Sequence, residues 1–336
     1  MGFAPKSFKK KLAGVIGLGK SGRSAAKLLA SKGFKVFASD TRPRSQVRES
    51  LGSLASRISW EAGRHSDRLL KCSFVVKSPG LPPHLPILDK ARKAGVPIFS
   101  EMEVALAYSK TREIVAITGT NGKTTTTMLT AEIFKAAGRK VRVCGNIGQP
   151  FCDEAPKAKA RETLVVETSS YQLEDSTDFQ PRAAALLNVT ADHIDHHGSM
   201  EKYLQAKAKT FRGMGRDDFA VFNADDPLCL RIARETAAKK LFFGSKDIGR
   251  VHAWIEGSKI FVQLRGSKPI RLTPPKLPGY HNLENAMAAA LLALSRAVKP
   301  AAIQKAFQSF KGVEHRLEEC GPVRGLRCIN DSKATN

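Results

Sequence analysis

The sequence predicts an α/β protein with two larger domains and the start of a third. Short apolar segments alternate with helical patterns along most of the chain, which is typical of parallel strands joined by helices. The chain has 336 residues, more than one hydrophobic core usually organises, so two or three domains are expected. We place them at residues 1–110, 111–312 and 313–336, because the alternation restarts near residue 113 and only a short segment follows 312.

The first domain is expected to contain strands and helices in alternation. Apolar runs predict strands at 12–19, 35–40 and 73–78, and helical patterns lie at 21–33, 88–95 and 101–110. The segment PGLPPHLP (79–86) contains four prolines, which remove backbone donors. We therefore expect a loop at the carboxyl end of a strand there.

The second domain repeats the same alternation. Strands are predicted at 113–119, 140–146, 162–168, 182–189 and 219–225, a hairpin at 251–264, and helices at 123–137, 281–298 and 301–310. The last 24 residues predict one strand and an opening turn, so a third domain is expected to be incomplete at Asn336.

Composition narrows the classes of function. The chain carries 55 Lys and Arg against 31 Asp and Glu, a net charge of +24, which predicts anionic partners. Aromatic residues make up only 7%, too few for the stacking surfaces that single-stranded nucleic acids need, so phosphate-bearing small molecules are favoured over nucleic acid. No apolar run reaches the length of about 18 residues that a membrane helix needs. The cysteines form no CxxC pair, which indicates reduced thiols and a cytoplasmic location.

The strongest motif is TGTNGKTT (118–125), where a buried strand leads into a glycine-rich turn and then a helix. Backbone amides of such a turn, together with the helix amino end, hold phosphate oxygens. We expect Lys123 to reach the β- and γ-phosphates and the Thr124 hydroxyl to bind Mg²⁺. The spacing departs from the eight-residue phosphate loop, since Ile117 stands where that pattern has its first glycine. The motif predicts binding of a nucleoside triphosphate.

A second glycine motif, GLGKSG (17–22), follows the first strand, and Asp40 closes the next strand. This pattern is typical of NAD-binding enzymes. It is also found wherever a helix starts close behind a strand, so a site for another diphosphate remains an equal alternative.

Two polar segments follow strands of the second domain. NVTADHIDHHG (188–198) concentrates histidines and aspartates, which suggests a metal or phosphate site, although solvated loop histidines remain an alternative. A zinc site is poorly supported because no cysteine or HExxH helix accompanies it, and the further aspartates of DHH phosphoesterases are not evident. In ETSSYQLE (167–174), Glu167 is a natural Mg²⁺ ligand beside the phosphate loop, whereas Glu174 is expected to be an ordinary exposed acid.

Taken together, these motifs resemble the Mur ligase family. The resemblance spans nearly the whole chain and rests on ordered blocks: GLGKSG, SPG (78–80), TGTNGKTT, GNIG (145–148), ETSSYQLE, NVTADHIDHH, YLQAK (203–207), NADD (223–226), HNLENAMAA (281–289), EHRLE (314–318) and INDSKATN (329–336). It implies a Rossmann-like first domain that binds the UDP of a substrate, a central phosphate-loop ATPase domain, and a truncated third Rossmann-like domain.

The resemblance also implies residue roles. Catalytic residues would be Lys123, His193 and Lys207. The ATP site would comprise Gly119, Thr120, Asn121, Gly122, Lys123, Thr124, Thr125, Asn282, Asn285, Arg316, Asp331 and Lys333. The UDP-substrate site would comprise Gly19, Lys20, Ser21, Gly22, Asp40, Thr41, Arg42, Ser78 and Asn146. Mg²⁺ ligands would be Thr124, Glu167, His193 and, if carbamylated, Lys207; Lys209 has the wrong offset from Tyr203.

The implied activity is an ATP-dependent amide ligation in peptidoglycan precursor synthesis. The block order and the first domain imply D-glutamate and UDP-N-acetylmuramoyl-L-alanine as substrates, ATP and Mg²⁺ as cofactors, and a monomer. Because the family's third domain closes over ATP, these residues alone are expected to bind both nucleotides with reduced turnover. The alternatives are another Mur or folylpolyglutamate-type ligase, a non-catalytic nucleotide-binding protein, and an NAD-dependent dehydrogenase.

Overall fold

The computed structural model describes residues 3–8, 11–246, 249–264, 266–323 and 326–333. It confirms the α/β fold class: a parallel sheet at the amino terminus is followed by a larger mixed sheet. Residues 324–325 and 334–336 of the expected third domain lie outside the described residues. All six cysteines are free, and no helix in the described ranges has the length and hydropathy to span a membrane.

The first sheet has five parallel strands in the order β3-β2-β1-β4-β5. Its elements are β1 (Leu12–Ile16), α1 (Lys20–Ser31), β2 (Lys35–Asp40), α2 (Arg44–Leu51), β3 (Ser59–Ala62), β4 (Phe74–Lys77), α3 (Pro86–Lys93), β5 (Ile98–Ser100) and α4 (Glu101–Ala107). The chain leaves β1 toward β2 on one side and later returns to β4 on the other. The crevice at the carboxyl ends of β1 and β4 is therefore a topological switch point, where ligands bind in such sheets.

The central sheet has nine strands in the order β14-β13-β12-β11-β10-β9-β6-β8-β7. These strands are β6 (Ile114–Thr118), β7 (Val141–Gly145), β8 (Thr163–Glu167), β9 (Ala183–Leu186), β10 (Phe219–Asn223), β11 (Lys239–Phe243), β12 (Ala253–Glu256), β13 (Lys259–Val262) and β14 (Ile270–Leu272). The strands from β7 to β12 pair in parallel, and β13 and β14 are antiparallel.

Helices cover both faces of the central sheet. They are α5 (Lys123–Ala136), α6 (Phe151–Glu154), α7 (Ser170–Glu174), α8 (Ile194–His197), α9 (Met200–Arg212), α10 (Pro227–Ala233), α11 (Tyr280–Ser295) and α12 (Pro300–Ser309). Alternate β6 residues face opposite cores: Val115 and Ile117 pack with α5, α11 and α12, whereas Ile114 and Ala116 pack with α9. This alternation is why each strand reads as a continuous apolar run.

Two further strands, β15 (Glu318–Val323) and β16 (Leu326–Asn330), form an antiparallel hairpin after residue 312. The sequence predicted only one strand in this segment. It also missed several shorter or more polar elements elsewhere, namely α2, β3, β5, α6, α7, α8, α9, α10, β11 and β14. The loop expected at 79–86 ends where Pro86 opens α3, a position at which a missing N–H is tolerated.

Buried carboxylates join the first domain to the central one. Glu101, the first residue of α4, accepts a 2.6 Å hydrogen bond from the backbone N–H of Cys152 in α6. Glu103 accepts hydrogen bonds from the backbone N–H groups of Thr177 and Asp178. Because buried polar groups are expensive to separate from their partners, these bonds fix the two sheets relative to each other.

Candidate functional site

The phosphate loop lies at the carboxyl end of β6, between the ends of β8 and β9. Asn188, just after β9, braces it by accepting from the Asn121 N–H at 2.8 Å and donating to the Asn121 carbonyl at 3.2 Å. The Thr120 hydroxyl lies 3.1 Å from the hydroxyl of Tyr203. The loop is therefore held in shape by side chains from α9 and from the loop after β9.

Gly122 makes the sharp turn into α5. Its φ is +81°, and a Cβ built there would lie 2.2 Å from Oδ1 of Asn285. Asn285 is itself fixed, since it accepts from the Thr126 hydroxyl at 3.1 Å and donates to Asn282 at 3.1 Å. Both the backbone conformation and the close approach of α11 therefore require glycine at this position.

Two lysines meet at the Gly119 carbonyl. Lys123 Nζ donates to it at 3.1 Å and to the Thr120 carbonyl at 2.6 Å, and Lys207 Nζ donates to it at 2.8 Å. Burial lowers the pKa of Lys123, against the opposing attraction of Glu167 and Asp192. Burial, reinforced by the nearby charge of Lys123, lowers the pKa of Lys207 well below its usual range. Lys207 is therefore far more readily neutral than a surface lysine.

Glu167 lies at the end of β8 and is 1% exposed. Its Oε1 accepts from Asn146 Nδ2 at 2.7 Å, while its Oε2 is buried and has no hydrogen-bond partner among the described residues. An unpartnered buried carboxylate oxygen beside a phosphate loop fits a hard cation such as Mg²⁺, which prefers oxygen ligands. Thr124, the second residue of α5, is buried.

His193 precedes α8 with a φ of +55°, a conformation uncommon outside glycine. Its Nδ1 lies 3.3 Å from Asp192 Oδ1, and its ring packs 4.9 Å from that of Tyr171. Burial lowers the pKa of His193, and the nearby Lys123 and Lys207 charges add to this effect against the attraction of Asp192. A largely neutral imidazole suits metal ligation.

A cavity of about 410 Å³ opens beside the phosphate loop toward α11 and toward the segment 311–317, the hinge that precedes β15. It brings together most of the residues expected on the ATP side: Asn121, Gly122, Thr125, Asn282, Asn285, Arg316 and Asp331. The other expected residues do not line it: Gly119, Thr120, Lys123, Thr124 and Lys333. The backbone N–H of Lys333 donates to the His315 carbonyl.

The first domain shows the close packing that the GLGKSG motif predicts. A Cβ at Gly22 would lie 1.8 Å from the Gly17 carbonyl oxygen, so α1 can pack against the turn only with glycine there. Asp40 accepts from the Leu18 N–H at 2.6 Å and pairs with Arg42 at 2.9 Å. Burial opposes ionisation of Asp40, but these bonds hold its pKa below the usual value. Thr41 beside this pair is exposed.

A second cavity of about 360 Å³ lies between the domains. It is lined by the expected substrate residues Gly19, Lys20, Ser21, Ser78 and Asn146, together with Pro79, Gly80, Gly145, Gly148, Pro150 and Gln172. The β1 turn, the SPG loop and the GNIG loop, which the family resemblance assigns to one substrate site, thus face one space. Asp40, Thr41 and Arg42 do not line it.

The expectation that Glu174 is an ordinary exposed acid is wrong. Its carboxylate lies 3.2 Å from both Lys77 Nζ and His196 Nε2, and 3.6 Å from His197 Nδ1. Burial would raise the pKa of Glu174, but His197, Lys77 and His196 together hold it at about 2. Lys77 was not predicted to be a functional residue, because its only signal in the sequence is its place before the SPG loop.

The phosphate loop lies at the carboxyl edge of the helix-covered central sheet and faces the first domain, which has its own glycine turn. This arrangement defines a two-domain nucleotide-binding α/β protein. Comparison with known protein families identifies the family to which the chain belongs. Residues 117–293 match the Mur ligase middle domain, and residues 11–100 match the Mur ligase MurD-like N-terminal domain. The chain belongs to the Mur ligase family, whose members are ATP-dependent amide ligases.

Two relatives illustrate the similarity in sequence. The UDP-N-acetylmuramoylalanine--D-glutamate ligase of Elusimicrobium minutum is 46% identical over 99% of this chain and 74% of its own length. The ligase of the same name from Koribacter versatilis is 40% identical over 96% of this chain and 72% of its own length.

Solved structures share the fold at low sequence identity. A UDP-N-acetylmuramate:L-alanyl-gamma-D-glutamyl-meso-diaminopimelate ligase from Neisseria meningitides matches with a TM-score of 0.62 and 20% identity, covering 90% of this chain and 99% of that one. The UDP-N-acetylmuramate-alanine ligase of Thermotoga maritima matches with a TM-score of 0.57 and 24% identity, covering 96% of this chain and 74% of that one. These matches show the fold alone.

Proposed function

We propose that this protein forms the amide bond between UDP-N-acetylmuramoyl-L-alanine and D-glutamate at the expense of ATP. The observation that carries the proposal is the link between the interdomain cavity and the phosphate loop. Asn146 lines the interdomain cavity and donates to Glu167, whose charge acts on Lys123 in the phosphate loop. A substrate held between the domains can therefore bring its reacting end to the terminal phosphate of ATP.

ATP would bind with its phosphates on the loop at 119–122 and its base in the cavity beside α11. The backbone amides of the loop and the amino end of α5 attract the phosphate oxygens. Lys123 now bonds carbonyls of its own loop and would turn to the β- and γ-phosphates when they arrive. Asn282, Asn285, Arg316 and Asp331 line the space available to the nucleoside.

The first chemical step would join the alanyl carboxylate to the γ-phosphate. A carboxylate oxygen attacks the phosphorus, the bond to the β-phosphate oxygen breaks, and ADP leaves with that electron pair. Phosphoryl transfer depends mainly on positioning and charge neutralisation. Lys123 and the loop amides supply positive charge, and Asn146 would orient the carboxylate.

In the second step the amine of D-glutamate attacks the carbonyl of the acyl phosphate. The tetrahedral intermediate expels phosphate, the nitrogen loses a proton, and an amide remains. The conversion of ATP to ADP and phosphate balances the bond formed.

Glu167, Thr124 and His193 would hold Mg²⁺. Bound there, the ion would neutralise charge on the phosphate oxygens and polarise the γ-phosphate. The fit rests on the unpartnered Oε2 of Glu167 and on the lowered pKa of His193.

We propose that Lys207 is carbamylated. Its lowered pKa favours the free amine, which can add to CO₂ and release a proton, giving an anionic oxygen ligand for a second cation. Lys209 also has a lowered pKa through burial, but its Nζ bonds the Glu174 carbonyl away from the loop.

We assign one binding role to each of the domains at 1–110, 111–312 and 313–336. The first would hold the UDP portion of the substrate, the second ATP, and the third would begin at the hinge that carries Arg316. We expect a monomer that works in the cytoplasm and binds no nucleic acid.

Calorimetric titration with UDP-N-acetylmuramoyl-L-alanine, and separately with a non-hydrolysable ATP analogue, tests the proposal. One site for each is expected, and loss of the alanyl residue should weaken the first. Phosphate release is then measured with D-glutamate, L-alanine and L-glutamate in turn, and stimulation by D-glutamate alone is expected.

Other outcomes identify the alternatives. Stimulation by L-alanine or L-glutamate would indicate another ligase of the superfamily. Binding of both nucleotides with no phosphate release at all, not even at the reduced rate expected of these residues, would favour a non-catalytic role. Saturable NADH fluorescence changes without binding of the UDP-substrate would indicate a dehydrogenase and contradict the proposal.

A further inference from the structure

A group of charged side chains where the two domains meet takes no part in the proposed chemistry. We call Lys77, Glu174, His196 and His197 the Glu174 cluster. Its centre, Glu174, is 17% exposed at its side chain, and its carboxylate contacts the other three within 3.6 Å. Lys77 belongs to the first domain and the rest to the central domain, so the cluster bridges them.

The lysine of the cluster is anchored to the SPG loop (78–80), which we call the substrate loop. Lys77 ends β4, its side chain is 0% exposed, and its Nζ also contacts Asp175 at 2.9 Å and the Leu81 carbonyl at 3.0 Å. The next residue, Ser78, lines the interdomain cavity. A buried ammonium with carboxylates on one side and the loop carbonyl on the other fixes where that loop lies relative to α7.

The histidines of the cluster are the last two residues of α8, which has only four residues. So short a helix is not stable by itself. It is preceded by His193, whose left-handed backbone conformation persists only where neighbours hold it. Three contacts can supply this restraint: the hydrogen bond between His196 and the Glu174 carboxylate, the 3.6 Å contact of His197 with that carboxylate, and a 3.0 Å hydrogen bond between His197 and the Ser170 hydroxyl.

We propose that Glu174 is a positioning residue, which holds α8 and therefore His193 in place and links them through Lys77 to the substrate loop of the first domain. The role of His193 rests on the proposed function; the restraint on α8 does not. Neither Glu174 nor Lys77 would touch ATP or the reacting atoms.

A metal site is the competing explanation for the same side chains. Glu174, His196 and His197 offer ligand atoms within 4.8 Å of one another. However, the ammonium of Lys77 lies 3.2 Å from Oε2 of the same carboxylate and would repel a cation there. The cluster is already charge-compensated, which favours the positioning role.

Hydrogen exchange of the ligand-free chain tests the restraint directly. The N–H groups of His196, His197 and Gly198 bond the His193 and Ile194 carbonyls, so their exchange reports on α8. We expect Glu174→Gln to accelerate exchange of these amides by about tenfold to a hundredfold, the effect of losing charge-assisted hydrogen bonds. Lys77→Met should accelerate the same amides, although it lies in the other domain.

Glu113→Gln is the matched control. Glu113 is also a partly buried carboxylate paired with arginines, but it lies before the amino end of β6, away from the phosphate loop. It should leave exchange at α8 unchanged. If Glu174→Gln fails to fold, His196→Phe keeps the ring packing against Tyr171, removes one bond to the carboxylate, and should give a smaller acceleration of the same amides.

Unchanged exchange at α8 in a folded Glu174→Gln or His196→Phe chain would overturn the proposal, as would an effect of Glu174→Gln that Lys77→Met does not share. Tight Zn²⁺ binding to the ligand-free chain would also overturn it if Glu174→Gln abolished that binding and Lys77→Met did not, because this pattern marks a metal site.

A second measurement separates positioning from general stability. Mn²⁺ affinity, measured by electron paramagnetic resonance with a non-hydrolysable ATP analogue present, should fall about tenfold in Glu174→Gln, while affinity for the analogue without metal stays unchanged. Equal loss of both affinities would indicate a merely structural role. If the exchange result holds but the UDP-substrate does not bind, the proposed function fails and the restraint on α8 stands.

Discussion

Gly122→Ala places a methyl group where the phosphate loop approaches α11 most closely. The new Cβ would lie 2.2 Å from Oδ1 of Asn285 and 3.3 Å from a methyl group of Leu187. The Asn285 side chain cannot simply swing away, because it is 4% exposed and bonded to Thr126 and Asn282. The substitution must therefore shift either the loop or α11.

The expected loss of stability has three contributions. A left-handed alanine costs about 1 kcal/mol, overpacking at a fixed neighbour about 1–3 kcal/mol, and loss of the Thr126–Asn285 hydrogen bond about 1 kcal/mol. The sum is about 3–5 kcal/mol. Since the loop amides must converge on phosphate, affinity for an ATP analogue should also fall by at least about tenfold.

Gly138→Ala isolates the backbone contribution. Gly138 follows α5 with a φ of +77°, and no described atom lies within 4 Å of a Cβ built there. Gly138→Ala should therefore lower the free energy of unfolding by only about 1 kcal/mol. Urea unfolding of both variants gives the difference, and calorimetry gives the nucleotide affinity, which Gly138→Ala should leave unchanged. If both variants lose equal stability, or if Gly122→Ala binds the analogue normally, the derived role of this turn is wrong.

Three further predictions address charged residues. Lys123→Ala should weaken binding of the ATP analogue at least about tenfold, whereas Lys135→Ala, an exposed lysine on the same helix, should not; calorimetry of both decides. Incubation with ¹³C-bicarbonate should give a carbamate NMR signal that disappears in Lys207→Met and remains in Lys209→Met; the reverse pattern would contradict the assignment. Burial raises the pKa of Glu101 from 4.5 to about 7, so between these pH values the folded chain holds a proton that the unfolded chain has released. The free energy of unfolding should therefore fall by about 3 kcal/mol as pH rises from 4.5 to 7. Glu101→Gln should abolish that slope in urea unfolding followed against pH, and a slope that persists would place its origin elsewhere.

Much of the fold could be predicted because its signals are local. The buried strands before Gly17 and Gly119 are continuous apolar runs, and the turns and helices that follow them lie within a few residues. The missed elements have weaker local signals: β3 and β5 are short edge strands, and α9 carries lysines that interrupt its apolar face. Prediction from the sequence was least successful where partners are distant or where the apolar pattern is broken.

The sequence by itself determined the phosphate loop, the first glycine turn and the family to which they belong, because each motif is read from adjacent residues. The tertiary structure alone decided that Lys207 donates to the Gly119 carbonyl, that Asn188 braces the phosphate loop, and that Glu174 is a partly buried partner of Lys77. Lys77 and Glu174 are 97 positions apart, and only the packing of two sheets brings them together. Burial, which sets the pKa of such groups, is a property of that packing and is not encoded in any short segment.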